Sequence, residues 1–254
     1  MSSSEIKDFG SILKVTNYGE RDKLIHIFLQ NHGVIKAFAF GAKNSKKRFG
    51  GNLEPYNLQF FNIAQKNQLY SITEVKINKL FLEIRKSITA LEMLQNVSKL
   101  LTKLPVLESK KTFKVFYFLL TKLNHIENIQ DMFKAYYFFI IFLLTKEGVF
   151  PQYTACFNCS NKQTDFLLSS KNEPQFLCNN CITDININST LTDEYTTTFI
   201  KLCMKSPKKL FSETFPPKTY FFLNKIITTL IAENFHLSLT KINYQPKEVE
   251  RHLG

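Results

Sequence analysis

"KLIHIFLQNHGVIKAFAF", Lys23–Phe40, is the stretch whose reading decides the fold. Two short runs rich in β-branched and aromatic residues flank Asn31-His32-Gly33, a tight-turn signal. Upstream lies "SILKVT", Ser11–Thr16. Downstream lie "NLQFFNIA", Asn57–Ala64, and "QLYSITEVKI", Gln68–Ile77, joined by a turn at Gln65–Asn67. Five short strands within about 70 residues, with no helical period between them, predict a small barrel. A five-stranded OB-fold, the oligonucleotide-binding type of barrel, matches the count. An SH3-like barrel matches it nearly as well.

From Leu80 the period changes. Leu80, Ile84, Ile88, Leu91, Leu94, Val97, Leu101 and Leu104 recur every three or four residues, and Pro105 follows. That spacing predicts one long helix with a single apolar face. Further helices are expected near Lys111–Leu123 and Asp131–Glu147, the latter capped by Gly148, and again at Thr192–Met204 and Thr219–Asn234. The longest apolar run, "AYYFFIIFLL" at Ala135–Leu144, has ten residues. A bilayer span needs about 20, so this run reads as a buried helix and no membrane partner is expected. The first residues, "MSSSEIKDFG", lack the pattern of a secretory signal. The expected fold class is therefore α+β and multidomain. Residues 1–79 form the OB-fold nucleic-acid-binding domain and 80–149 the first part of an all-α domain. Residues 150–190 form a four-cysteine zinc-binding insertion, and 191–254 complete the helical domain.

The net charge is +12 and the pI about 9.4. So basic a balance points to a polyanionic partner, either nucleic acid or an acidic membrane surface. Residues 1–80 hold 12 Lys and Arg against 6 Asp and Glu, a net +6 and half of the chain's excess. The loop "GAKNSKKRFGGNLEPY" joins the third and fourth strands. Within it Lys43, Lys46, Lys47 and Arg48 put four cations into six residues with no acid among them. Mobile cationic donors suit phosphate oxygens, so these four are the leading phosphate contacts, with Arg21 and Lys23 as further candidates. Phe38, Phe40, Tyr56 and Phe28 lie nearby in sequence. Phe at alternate strand positions is more often core, although rings on an OB face can stack on unpaired bases.

Four of the five cysteines form Cys-x2-Cys-x18-Cys-x2-Cys: Cys156, Cys159, Cys178 and Cys181. That spacing fits one structural zinc ion held by two thiolate pairs. Metal-free thiols or an iron–sulfur cluster are the rival readings. Four thiolates close the coordination sphere, and no His lies in the segment, so a catalytic ion is not expected. Cys203 falls on a helix and reads as core. No phosphate-binding loop, His-Glu-x-x-His or Gly-x-Ser-x-Gly occurs, and the five histidines are scattered, so an enzyme is not expected.

At these residues the chain resembles the RecO family of bacterial recombination mediators. The resemblance rests on Glu20-Arg21-Asp22, the strand and turn to Gly33, the basic loop Gly41–Arg48, and Leu53-x-Pro55 followed by Tyr56. It continues through Gly148 and Pro151 to the cysteine pairs, and so spans about Leu13 to Cys181. Ser160 and Glu173-Pro174 stand where family members often carry Gly. The resemblance implies a protein that binds single- and double-stranded DNA and anneals complementary strands. It implies pairing with RecR, contact with the C-terminal tail of the single-strand-binding protein, and indirect service to RecA. It also implies a cytoplasmic, nucleoid-associated bacterial protein that hydrolyses no nucleotide. The rival expectation is a zinc-stapled adaptor that grips an acidic protein tail and binds DNA weakly.

Overall fold

The computed structural model describes residues 4–45, 49, 51–104, 109–168, 173–182 and 190–244. The chain divides into two compact units, 1–124 and 125–254.

In the first unit, β1 (Ser4–Tyr18), β2 (Asp22–Leu29), β3 (Gly33–Ala39), β4 (Leu58–Lys66) and β5 (Leu69–Lys79) close into a barrel in the order β1-β2-β3-β5-β4. All pairings are antiparallel except β3 with β5. This five-stranded closed order is that of the OB-fold. Strand alternation sends Ile12, Ile25, Ile27, Phe61, Ile63 and Ile72 inward, where each is fully buried. Phe49 and Leu53, from the loop between β3 and β4, join the same core.

Closure depends on β1 serving two neighbours. Its first half pairs with β4 up to Gly10↔Gln59, and its second half pairs with β2 from Gly10↔Leu29. A side chain at the crossover has no room. A Cβ on Gly10 would lie 2.8 Å from the Phe28 carbonyl oxygen and 2.9 Å from Leu29 Cδ2. The hairpin turn is held from the same strand. The buried Asp8 carboxylate accepts from the Asn31 backbone and side-chain amides at 2.8 Å each and lies 2.8 Å from His32 Nδ1.

The long helix expected from Leu80 is shorter and starts later. A single tight turn at Glu83–Lys86 precedes α1 (Ile88–Lys103), because Ser87 caps the helix by accepting from the Ala90 amide. α2 (Ser109–Leu123) then lies against the outside of the barrel. Phe28 points outward into it, with its ring 5.1 Å from Phe113 and 5.6 Å from Phe116. Ser109 ties the helix start to the hairpin, accepting from the Gly33 amide at 2.8 Å.

The second unit holds α3 (Ile129–Lys146), α5 (Glu194–Lys205), α6 (Pro207–Leu210) and α7 (Pro217–Phe235). The apolar run Ala135–Leu144 lies in α3, and most of its residues are buried. No described helix is long and apolar enough to cross a membrane. Tyr137 stacks on Tyr220 and donates its hydroxyl to the Tyr220 carbonyl at 3.2 Å. Between α3 and α5 comes a small sheet in the order β7-β6-β8, from β6 (Asp165–Leu168), β7 (Pro174–Leu177) and β8 (Thr190–Leu191), with α4 (Asn179–Ile182) after β7.

The crossover at Gly10 generates the first prediction. Gly10→Ala should destabilise the first unit by about 1–3 kcal/mol, because the added carbon meets backbone as well as side chain. Thermal unfolding followed by circular dichroism measures it. An unchanged midpoint would remove the steric account of closure.

Candidate functional site

Outward residues of β1, β2 and β3 line up in rows across the barrel. Lys14 pairs with His26 and His26 with Lys36; in the next row Thr16 pairs with Leu24 and Leu24 with Phe38. Lys14 and Lys36 are exposed. Burial, then the charges of Lys36 and Lys14, hold the His26 imidazole below its usual range. The ring therefore favours its neutral form, and the lysines supply the charge of this row.

The same strands end in a cationic corner. Arg21 is exposed in the turn between β1 and β2. Its carbonyl accepts from the Lys43 amide at 3.1 Å, and the Lys43 ammonium donates to the Gly19 carbonyl at 2.8 Å. The Asp22 carboxylate is engaged by the Gly41 amide at 2.7 Å. The structure thus brings Arg21 and Lys43 together from positions 22 residues apart in sequence. Phe49, buried in the barrel, anchors the far end of the basic segment. Lys46, Lys47 and Arg48 lie outside the described residues. Lys23 is half-buried and shares the parity of the core residues Ile25 and Ile27.

The rings divide into two groups. Phe28 is fully buried under α2, and Tyr56 is half-buried with its hydroxyl 3.3 Å from Ser98 Oγ. Both are structural. Phe38 and Phe40 lie on the open part of the face, parallel within 7° and 5.5 Å apart. Tyr18, which its sequence context does not single out, meets Phe38 edge-on at 5.0 Å. Tyr18 and Phe40 are 54% and 44% exposed.

In the second unit the four cysteines converge. The sulfurs of Cys156, Cys159, Cys178 and Cys181 all lie within 4.8 Å of one another, the Cys159–Cys178 pair at 3.4 Å. An ion bonded tetrahedrally to four sulfurs at about 2.3 Å sets them roughly 3.8 Å apart, so the cluster fits a single metal ion. Two backbone turns present the ligands. The Ser160 amide donates to the Cys156 carbonyl, and the Cys181 amide to the Cys178 carbonyl, each at 2.9 Å. The Phe157 amide donates to the Phe176 carbonyl, which joins the first turn to β7. Ser160 adopts φ +61°, the left-handed region that glycine favours. The glycine-like turn is therefore made here by serine.

The thiols are electrostatically unequal. Burial pushes Cys156 up, but backbone hydrogen bonds at Cys178, Cys159 and Asn158 and the Cys159 thiol outweigh it, bringing Cys156 down to about 6. Cys181 is pushed up to about 12, chiefly by its hydrogen bond with Cys178 and then by burial. Thiols this close resist joint deprotonation unless a cation compensates them. Cys203, buried on α5, stands outside the cluster.

Residues 1–81 match the family model of the recombination protein O N-terminal domain, and residues 85–220 that of its C-terminal domain. A DNA repair protein RecO of Alkaliphilus metalliredigens is 22% identical over 254 residues, covering 97% of this chain and 98% of its own. Its namesake in Bacillus pumilus is 27% identical over 176 residues, 69% of this chain and 68% of the relative. That of Shouchella clausii is 29% identical over 171 residues, 67% and 66% of the two chains.

Elemental analysis of the purified chain should return about one metal ion per chain. Cys178→Ser should lose the ion and destabilise the second unit, since metal binding and folding are coupled at such sites. A metal-free Cys178→Ser chain that melts like the parent would contradict the fit.

Proposed function

The chain belongs to the recombination protein O (RecO) family of DNA repair and recombination mediators, and we propose that it works by annealing complementary strands and helping to load RecA onto DNA coated by single-strand-binding protein. The observation that carries this reading is the corner where Arg21 and Lys43 are bonded backbone to backbone. Lys46, Lys47 and Arg48 follow Lys43 after Asn44 and Ser45. Two phosphate backbones repel each other as they approach. A cationic surface that neutralises both lowers the barrier to pairing. In this reading residues 1–79 are the DNA-binding domain and Lys43, Lys46, Lys47 and Arg48 the main phosphate contacts, aided by Arg21. Lys23 serves only from the barrel rim. Single- and double-stranded DNA both bind, RecR is the protein partner, and no nucleotide is hydrolysed. The protein acts in the cytoplasm at the nucleoid. The metal is one zinc ion with a structural role, because four thiolates leave no position open for water.

A groove in the first unit favours a second reading, the adaptor that grips an acidic tail. It encloses about 330 Å³, with Phe9, Leu58, Phe113 and Tyr117 as an apolar floor and Lys110 and Lys114 among its walls. Lys79 Nζ lies 3.3 Å from the Tyr117 hydroxyl and adds charge beside it. Such a site suits the acidic C-terminal tail of the single-strand-binding protein.

Two measurements separate the readings. If four loop cations touch single-stranded DNA, log affinity should fall with log salt at a slope of roughly −3. Replacing Lys43, Lys46, Lys47 and Arg48 by Ala should flatten that slope; an unchanged slope would contradict the loop assignment. For the groove, Lys114→Glu should weaken binding of the tail peptide about tenfold or more while leaving DNA binding unchanged. Equal peptide binding would contradict the groove.

A further inference from the structure

The four clustered sulfurs are not equally shielded. Cys156 and Cys178 are each 3% exposed, Cys181 is half-buried, and Cys159 is exposed. Cys159 sits in a run, Phe157–Gln163, in which every residue is exposed. Thiolate character and exposure together decide which cysteine an oxidant attacks. Metal ligands are held as thiolates, so Cys159 meets both conditions. Cys178 is reached differently. It is among the residues lining an open cleft of about 650 Å³ between the cysteine module and α5. Gln163, Asp165, Asn179, Glu194 and Lys201 make that cleft polar, which suits water and a small hydrophilic oxidant.

The backbone holds Cys159 and Cys178 opposite each other. The Phe157 amide donates to the Phe176 carbonyl at 2.8 Å, which pins the first cysteine turn to the end of β7, two residues before Cys178. Within that turn the Cys156 amide donates to the Asn161 carbonyl, also at 2.8 Å. The Cys159 and Cys178 sulfurs lie 3.4 Å apart. A disulfide needs about 2.05 Å, a gap that side-chain rotation closes while the turns stay in place.

We infer that Cys159 and Cys178 are a peroxide-oxidisable pair whose disulfide replaces the metal crosslink between the two cysteine turns. The Cys159 thiolate attacks one oxygen of hydrogen peroxide. An S–O bond forms, the O–O bond breaks, and hydroxide leaves. The Cys178 thiolate then attacks the Cys159 sulfur. The S–S bond forms, the S–O bond breaks, and a second hydroxide leaves. Each hydroxide takes a proton from solvent. The two sulfurs give up two electrons, and the peroxide is reduced to two waters. Cys156 and Cys181 alone do not complete a four-sulfur tetrahedron, so the chain releases its ion. The loop of 18 residues between Cys159 and Cys178 nevertheless stays closed. Disulfides within each Cys-x-x-Cys pair would close only two short turns and leave that loop untied. The inference rests on the structural-metal reading above and adds what the site does under oxidant.

The test uses the full metal-loaded chain, treated with hydrogen peroxide beside a chromogenic chelator that does not strip the untreated chain. Free thiols are then alkylated in denaturant and the peptides mapped by mass spectrometry. One ion should be released per chain oxidised, with Cys159 and Cys178 joined and two hydrogens lost. Cys203, buried on α5, should still be alkylated. Dithiothreitol with zinc should restore the metal-bound form. The oxidised chain should unfold at a higher midpoint than a reduced chain stripped of metal, since only the oxidised one keeps the loop closed. Disulfides confined to Cys156–Cys159 and Cys178–Cys181 would overturn the inference. So would sulfinic or sulfonic acid at Cys159 without a disulfide, a cluster that peroxide leaves reduced and metal-bound, or an oxidised midpoint no higher than the stripped one. Failure of the metal reading is separate: the chain would then hold no ion before oxidation and would still join Cys159 to Cys178.

Discussion

A long first strand that changes partner along its length closes the barrel. β1 leaves β4 and joins β2 at Gly10, and the ring of five strands closes there. Closure gives every residue of β1, β2 and β3 a side. Inward positions become Ile12, Ile25 and Ile27, sealed from water. Outward positions become the rows of Lys14, His26 and Lys36, then Thr16, Leu24 and Phe38. α2 covers part of that outer face through Phe28. The part it leaves open carries Lys14 and Lys36 and the exposed rings of Tyr18 and Phe40.

The cysteine cluster belongs to a different physical problem. The sheet of β6, β7 and β8 is small, and its strands have four residues or fewer. So short a sheet has little apolar area to bury, and Phe150, Phe166 and Phe176 pack ring against ring beside it. Four sulfurs within 4.8 Å of one another could hold one metal ion, which would crosslink the two turns. The left-handed Ser160 shows that the turn is kept in a conformation serine disfavours.

Much of this was legible in the sequence. The β-branched and aromatic runs marked five strands, and the cysteine spacing marked the cluster. The first half of β1 was not visible, because "SEIKDFG" is rich in residues that strands disfavour. Asp8 and Gly10 are there for the hairpin turn and for the crossover, which are tertiary demands. The long helix from Leu80 read as one period, yet Ser87 restarts it by capping α1. Local apolar spacing cannot show that a capping residue has won. Phe28 and Phe38 are alike as outward strand phenylalanines, yet Phe28 is fully buried against α2 and Phe38 is only half-buried. Tyr18 and Lys14 could not be placed on the outer face without the β1–β2 register, which a bulge between Ile12 and Lys14 shifts.

The central claim is that nucleic acid is met by the barrel and that the cysteine module is scaffold. Photo-crosslinking of the full chain to a single-stranded oligomer carrying 4-thiothymidine, with the attachment sites mapped by mass spectrometry, tests it most directly. The account predicts adducts at Tyr18, Phe40 and the segment from Lys43 to Arg48. Adducts confined to Cys156–Cys181, with none on β1, β3 or the basic loop, would contradict it.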